Sequence, residues 1–155
     1  MTLIELLVVI GIIGLILGTG IPALTQYAKQ ARLKTTTRQM VGLLSLARSL
    51  AISHHEEHAV VVDAEQQEVR IVNVASGEAL EQVIHVPSSI SIELEVSGEP
   101  SPEAQVVFRP TGSLKGRTVS LVLADQQKSQ TITVMGTTGT VAVQRSDDRQ
   151  PGLDE

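Results

Sequence analysis

The stretch MTLIELLVVIGIIGLILGTGIPAL, residues 1–24, decides how this chain is built. Apart from Glu5, every side chain in it is apolar, small or weakly polar. A helix of this length, rising about 1.5 Å per residue, is long enough to cross a hydrocarbon core of roughly 30 Å. The sequence therefore predicts a membrane-spanning helix with one carboxylate, and such a carboxylate is costly in a membrane unless it is paired.

The helical pattern continues beyond the apolar run. Between residues 25 and 54, apolar side chains recur at spacings of three and four, which is typical of an amphipathic helix. This apolar stripe consists of Leu33, Met40, Leu43 or Leu44, Ala47 and Leu50 or Ala51. We therefore predict one long helix over residues 1–54. Glycine costs about 1 kcal/mol in a helix and proline removes a backbone donor, so four residues should weaken it: Gly14, Gly18, Gly20 and Pro22.

After His58 the apolar pattern changes to the alternation of β-strands. Eight short runs rich in β-branched residues are separated by turn-forming sequences such as ASGE, PTGSLKG and GTTG. These runs predict an antiparallel sheet or sandwich, with the amphipathic helix covering one apolar face. The predicted fold class is α+β, with a long N-terminal membrane-spanning helix continuing into a small antiparallel β-rich head.

These patterns divide the chain into four segments. We predict a transmembrane or filament-core segment over residues 1–27, an amphipathic helical half over 28–58, an antiparallel β head over 59–145 and a flexible tail over 146–155. The basic residues that follow the apolar run would, by themselves, favour a head in the cytoplasm. A basic leader removed in front of Met1 would reverse that orientation.

Composition argues against several function classes. The chain has 155 residues, with 12 Lys+Arg, 17 Asp+Glu and a formal net charge of -5. This balance disfavours a general nucleic-acid binder, because such binding depends mostly on neutralising phosphates. The chain has no cysteine, so neither disulfides nor thiolate metal sites can form. Its sequence contains no recognisable nucleophile–base–acid set, so we expect neither catalysis nor a cofactor.

The segment HHEEH, residues 54–58, is a weak candidate metal site. His54 and His58 are four residues apart and could share a helix face. The zincin pattern, however, requires a glutamate directly after the first histidine, and structural zinc normally has four ligands. We therefore interpret the segment as a solvated helix end and expect no metal there.

The first 24 residues resemble the N-terminal signature of type IV pilins and type II secretion pseudopilins. That signature has a glutamate at the fifth mature position and a proline near position 22, matched here by Glu5 and Pro22. The resemblance implies that a prepilin peptidase removes a leader and exposes Met1, whose amine is then methylated. We expect Glu5 of one subunit to pair with the amine of Met1 on its neighbour, and the helix between Gly14 and Pro22 to open during assembly.

Residues 40–145 resemble the minor pseudopilin H and FimT-like subgroup, through the stretches LLSLARSLAISHHEEHAVVVD, VVFRPTGSLKGRTVSLVL and SQTITVMGTTGTVAV. This resemblance implies a minor pseudopilin of type II secretion that acts by assembly. It would span the inner membrane once, hold its head in the periplasm and join a periplasmic or surface filament. The implied partners are other pilin-like subunits, the prepilin peptidase and the inner-membrane assembly platform.

The loop GTTGT, residues 136–140, is interpreted as a hairpin turn, since it lacks the lysine and helix start of a phosphate-binding loop. FimT-like proteins that bind DNA carry a Gly-Arg-x-Arg motif in the final hairpin, whereas this chain has Gly139, Thr140, Val141 and Ala142, with Arg145 further on. DNA binding is therefore not expected. Three alternatives stay open: a FimT- or FimU-like minor pilin active in pilus assembly or DNA uptake, a subunit that builds the bulk of a filament, and a membrane-anchored periplasmic binding domain that never polymerises.

Overall fold

Helix α1 runs from Leu3 to His54, which confirms the predicted long helix. Its helical backbone continues through Pro22, so the four weakening residues do not interrupt it here. Opening of this stretch during assembly stays a prediction. The helix ends where His55 adopts a left-handed backbone conformation with φ of 56°. A residue in that conformation directly after a helix is a common way to stop it.

The computed structural model describes residues 2–63, 65–100, 105–126 and 128–145, apart from the side chains of residues 17–26, 81, 100 and 145. The chain separates into two units, residues 1–32 and 33–155. Met1 and the predicted tail lie outside the described residues. Among the residues that are described, no helix is long and apolar enough to cross a membrane. The predicted membrane crossing is therefore not confirmed.

The strands of the second unit form two antiparallel sheets. The described strands are β1 (His58–Asp63), β2 (Glu68–Asn73), β3 (Ala79–His85), β4 (Ser91–Val96), β5 (Glu99–Pro100), β6 (Gln105–Phe108), β7 (Val119–Ala124), β8 (Ser129–Val134) and β9 (Val141–Arg145). The first sheet has the order β3-β2-β1-β6, and the second has the order β5-β4-β7-β8-β9. Every strand pairing in both sheets is antiparallel, as the alternating sequence pattern predicts.

All eight predicted strand runs form strands, and the ninth, β5, was not predicted. It has two residues, Glu99 and Pro100, in a stretch whose glycine and prolines favoured a turn. Turn chemistry explains why β1 and β2 meet in register: Asp63 Oδ1 accepts hydrogen bonds from the amides of Glu65 and Gln66 at 3.1 and 3.0 Å. A side-chain oxygen used in this way stabilises a tight turn without help from the rest of the fold.

One apolar core joins the second half of α1 to both sheets. The predicted stripe of the helix lies in this core, and its members from Leu33 to Ala51 include residues with almost no exposed surface. Phe108, one of two aromatic residues in the chain, is fully buried among aliphatic side chains. The prediction that this helix covers an apolar sheet face is confirmed by the buried members of the cluster, among them Met40, Leu44, Ala47, Val60, Ile71, Leu121 and Ile132.

Arg48 of α1 holds two loops of the head in place. Its Nε donates a hydrogen bond to the carbonyl oxygen of Gly112 at 3.0 Å. Gly139, with φ of 65°, packs directly on that carbonyl, and a Cβ placed there would collide with the oxygen and lie 3.1 Å from Arg48 Nε. The loops 109–118 and 135–140 therefore meet at the helix in backbone contact, which only glycine allows at this point.

Candidate functional site

The N-terminal end of α1 carries a reciprocal set of hydrogen bonds between Thr2 and Glu5. The Glu5 Oε2 atom accepts from the backbone amide of Thr2 at 2.7 Å and from the Thr2 hydroxyl at 3.2 Å. In return, the Glu5 amide donates to Thr2 Oγ1 at 3.4 Å. This arrangement is a capping box, which satisfies backbone amides that have no partner at the start of a helix. The Thr-x-x-Glu spacing before an apolar run is its sequence signal, which the prediction for Glu5 did not use.

The capping box gives the Glu5 carboxylate hydrogen-bond donors but no counter-ion. Glu5 takes part in no ion pair among the described residues, and Met1, its predicted cationic partner, lies outside them. A carboxylate moved into apolar surroundings is stabilised most strongly by a paired, hydrogen-bonded cation. Pairing of Glu5 with Met1 of a neighbouring subunit thus stays a prediction, and Thr2 is the partner within the chain with which it would compete.

Apolar side chains surround the first turns of α1. From Leu3 to Ile13 only Glu5 and Gly11 interrupt the aliphatic residues, so each face of the helix is largely apolar. The exposed fraction of these side chains runs from 48% at Val9 and Ile13 to 82% at Leu3. Exposed apolar surface on this scale marks a site of protein or membrane contact. Burying one such side chain is worth about 1.5–3 kcal/mol.

Two glycines open the same segment to close approach by another helix. A Cβ added to Gly11 or Gly14 would meet nothing within 4 Å, so packing within this chain does not require glycine at either position. Residues three apart lie on the same side of a helix, and small residues there let helix backbones come close together. Gly11 was not predicted as part of such a contact. Gly18, four residues after Gly14, has the spacing of a further small residue on this side, but its surroundings lie outside the description.

The histidines of HHEEH lie in different elements. His54 is the last residue of α1, whereas His58 begins β1 and is 2% exposed. Their rings meet edge to face with centroids 5.7 Å apart, and His58 Nδ1 lies 3.2 Å from the carbonyl oxygen of Glu56. The interpretation of the whole segment as a solvated helix end is wrong for His58, because the chain reverses at His55 and carries it into the core. Within the described residues, no group of three or more potential ligands could hold a metal ion.

The GTTGT segment forms the predicted hairpin turn between β8 and β9. The amide of Met135 donates to the carbonyl of Thr140 at 3.0 Å, and that of Gly139 donates to Met135 at 2.8 Å. Along β9 the backbone runs away from this turn to Arg145, which pairs with Gln130 at the other end of the strand. Since β9 rises about 3.4 Å per residue, the backbone of Arg145 is well separated from the hairpin in which the DNA-binding motif would lie.

The second unit of the chain carries the match that shows its family. The family model for Type II transport protein GspH matches residues 36–139, more than half of the chain. The chain belongs to the GspH family. This confirms the predicted relation to pseudopilin H and identifies a minor pseudopilin of type II secretion. A search of curated proteins found no match.

Solved structures share the fold of this GspH-family chain. The type IV minor pilin FimU of Pseudomonas aeruginosa strain PAO1 has a TM-score of 0.60 and 14% identity, with 76% of this chain and 92% of that chain covered. The minor pseudopilin EpsH from the Type 2 Secretion System of Vibrio cholerae has a TM-score of 0.59 and 14% identity, with 74% and 97% covered. At these identities the likeness concerns the fold, and it confirms an α+β arrangement of an N-terminal helix and an antiparallel β head.

Proposed function

We propose that this chain enters a periplasmic secretion filament through the first half of α1, and that the same half anchors it in the inner membrane before assembly. The observation that carries the proposal is the exposed apolar surface from Leu3 to Ile13. Both a bilayer and a bundle of neighbouring helices would bury it. The head, within the second unit of residues 33–155, would stay outside the bilayer because its own apolar core is already buried, and the family resemblance would place it in the periplasm.

Glu5 would set the axial position of the subunit in the filament. Its carboxylate has donors from Thr2 but no cation in the described part of the chain. The amine of Met1 on the next subunit would supply one, after a prepilin peptidase has removed the leader. A neighbour displaced along the axis would leave both charges unpaired in apolar surroundings, which is strongly unfavourable. The ion pair would therefore select one register rather than add general affinity.

The chain would act by assembly without catalysing a reaction. Its partners would be other pilin-like subunits through helix packing, the prepilin peptidase during processing and the inner-membrane assembly platform. The stretch from Gly14 to Pro22 would open when the helix passes from the membrane into the filament. Glycine lowers the cost of opening by about 1 kcal/mol per residue relative to alanine.

Three variants separate the charge of Glu5 from its capping role. Glu5→Gln keeps a side chain able to accept the Thr2 amide but removes the charge, Glu5→Ala removes both, and Thr2→Ala keeps the charge while it disrupts the box. In membrane and sheared-filament fractions, both Glu5 variants should insert into the membrane but enter filaments at least about tenfold less than wild type, since one unpaired buried charge costs several kcal/mol. Thr2→Ala should assemble much closer to wild type.

Crosslinking tests the same contact directly. The chain contains no cysteine, so a single cysteine at Ile4 can be crosslinked to a cysteine placed near the N-terminus of a second pilin-like subunit. The adduct should form with Glu5 present and should be lost in both Glu5 variants. Filament incorporation of Glu5→Ala at the wild-type level would disprove the pairing. Full assembly of Glu5→Gln with failure of Glu5→Ala would assign the role to the cap instead.

A FimU-like minor pilin of a type IV pilus is the second candidate. The likeness in fold to a minor pilin is as strong as the likeness to a minor pseudopilin, so the head architecture favours neither. Deletion of the coding gene in the source bacterium distinguishes them. Loss of protein export with intact surface pili supports the secretion filament, whereas loss of pili with normal export supports the minor pilin.

A further inference from the structure

Two loops and a strand turn of the head line a shallow cleft of about 610 Å³ that is open to solvent. It is lined by arginines and hydroxyl groups, and we name it the basic cleft; its polar lining consists of Ser97, Arg109, Ser113, Arg117, Thr118 and Thr137. These residues come from the β4–β5 turn, the loop after β6 and the β8–β9 turn. The function proposed above does not use this cleft.

The shape of the basic cleft is set by backbone hydrogen bonds between its walls. The amide of Leu114 donates to the carbonyl of Gly136 at 3.0 Å, and the amide of Ser97 donates to the carbonyl of Thr118 at 3.2 Å. The Gly136 amide donates to Thr118 Oγ1 at 3.2 Å. A Cβ at Gly136 would lie 2.9 Å from the carbonyl carbon of Arg117. The walls are thus in direct contact, and the cleft is formed before any ligand arrives.

The two arginines of the cleft are available for binding. Lys115, between them in sequence, forms an ion pair with Glu57 at 2.8 Å. Arg109 and Arg117 are exposed and take part in none of the ion pairs formed by the described residues. Among the residues that the structure describes, no carboxylate lines the cleft, and Glu95 and Glu99 of the adjacent β4–β5 hairpin form no ion pair with either arginine. Two exposed arginines without an ion-pair partner among the described residues therefore line one cleft, on a chain with a net charge of -5.

We propose that the basic cleft binds an acidic, extended segment of a neighbouring pilin-like subunit. Guanidinium groups bind carboxylates through two parallel hydrogen bonds, and the surrounding hydroxyls can donate to further carboxylate or peptide oxygens. Nucleic acid fits the same observations less well. Two arginines on an acidic chain neutralise few phosphates, and none of the described residues that line the cleft is an aromatic residue for base stacking. The neighbour as source of the segment rests on the proposed function, whereas the affinity of the cleft for carboxylates does not.

A labelled hexaglutamate peptide tests the affinity, with the full chain in uncharged detergent and fluorescence anisotropy as the readout. Wild type should bind it weakly, more tightly at low than at physiological salt, and should not bind hexalysine. The double variant Arg109→Glu/Arg117→Glu should bind about tenfold more weakly or worse, because each exposed ion pair is worth up to roughly a factor of five. The control Lys128→Glu reverses one charge at an exposed lysine outside the cleft. Its affinity for hexaglutamate should fall less than twofold.

Each other outcome has a defined meaning. Equal binding by wild type and the double variant, with unchanged thermal midpoints, overturns the proposal. If wild type binds a DNA duplex more tightly than hexaglutamate and the double variant loses that binding, the ligand of the cleft is nucleic acid and not an acidic peptide. If wild type forms concentration-dependent dimers and the double variant does not, the cleft binds a second copy of this chain. That result overturns the proposal that a different subunit supplies the segment. Because peptide binding needs no filament, hexaglutamate binding persists even if Glu5→Ala assembles normally and the proposed assembly contact fails.

Discussion

Helix α1 carries two apolar regions, of which the first is exposed and the second is buried. From Leu3 to Ile13 the aliphatic residues follow one another around the helix and stay 48–82% exposed. In the second half they are confined to one stripe, and Met40, Leu44 and Ala47 are fully buried. A stripe can be covered by one partner surface, which the two sheets of the head provide. An all-round apolar surface needs a surrounding environment, which a single small head cannot supply.

This difference separates folding from assembly along a single helix. Burial of the stripe stabilises the head within one chain, so changes there should reduce its free energy of unfolding. The apolar surface of the first turns contributes to association, so changes there should leave the stability of the head unaltered. The first three of the following experiments each compare a residue of the first unit, residues 1–32, with a residue of the second unit, residues 33–155.

Leu44→Ala should have the largest effect. Leu44 is fully buried in the core, and loss of such a side chain lowers the free energy of unfolding by about 2–5 kcal/mol. The matched change in the first region, Leu7→Ala, removes a side chain that is 59% exposed and should leave the unfolding of the head unchanged. Urea unfolding of the full chain in mild detergent measures both. Similar losses for the two variants would show that the regions are not energetically distinct.

Gly139→Ala should have the next largest effect. The residue has φ of 65°, and a Cβ would collide with the carbonyl oxygen of Gly112, so we expect a loss of at least about 1–3 kcal/mol. Gly14→Ala is the matched change in the other region, where a Cβ meets nothing within 4 Å. Alanine there should stabilise the helix by up to about 1 kcal/mol. Circular dichroism during thermal unfolding reports both, and a neutral Gly139→Ala would contradict the observed contact.

Thr2→Ala should have a smaller, local effect. It removes the hydroxyl that accepts the Glu5 amide at 3.4 Å, and loss of a helix cap costs about 0.5–2 kcal/mol. Amide hydrogen exchange should become faster at Glu5 while exchange in the head does not change. Thr35→Ala, at an exposed position of the second half of the helix, is the control. Unchanged exchange at Glu5 would mean that the capping box does not persist in solution.

Removal of metal ions by a chelator should not change the stability of the head. Within the described residues His54 and His58 are not joined by enough ligands for a metal site, so EDTA should leave the thermal midpoint of the head where it was. A fall in the midpoint that added zinc reverses would show that these histidines bind a metal. His54→Ala, at an exposed side chain, would then reproduce the fall.

Sequence reasoning was most successful where the signal was local and periodic. Spacings of three and four placed the stripe from Leu33 to Ala51 on one side of the helix, and alternation located eight of the strands. The Thr2–Glu5 capping box has an equally local signal, but the cost of a carboxylate in an apolar run directed attention to a partner outside the chain. β5 lacked any signal, because two residues are too few to show a period.

What the sequence by itself determined is the set of elements and the apolar faces they must bury, since these follow from helical and strand periodicity. Only the tertiary structure decided which elements meet. His58 is buried because the left-handed turn at His55 redirects the chain into β1, and the basic cleft exists because Gly112, Gly136 and Gly139 let distant loops touch. Such contacts join residues far apart in sequence through backbone conformation and sterics, and residue spacing along the chain carries no record of them.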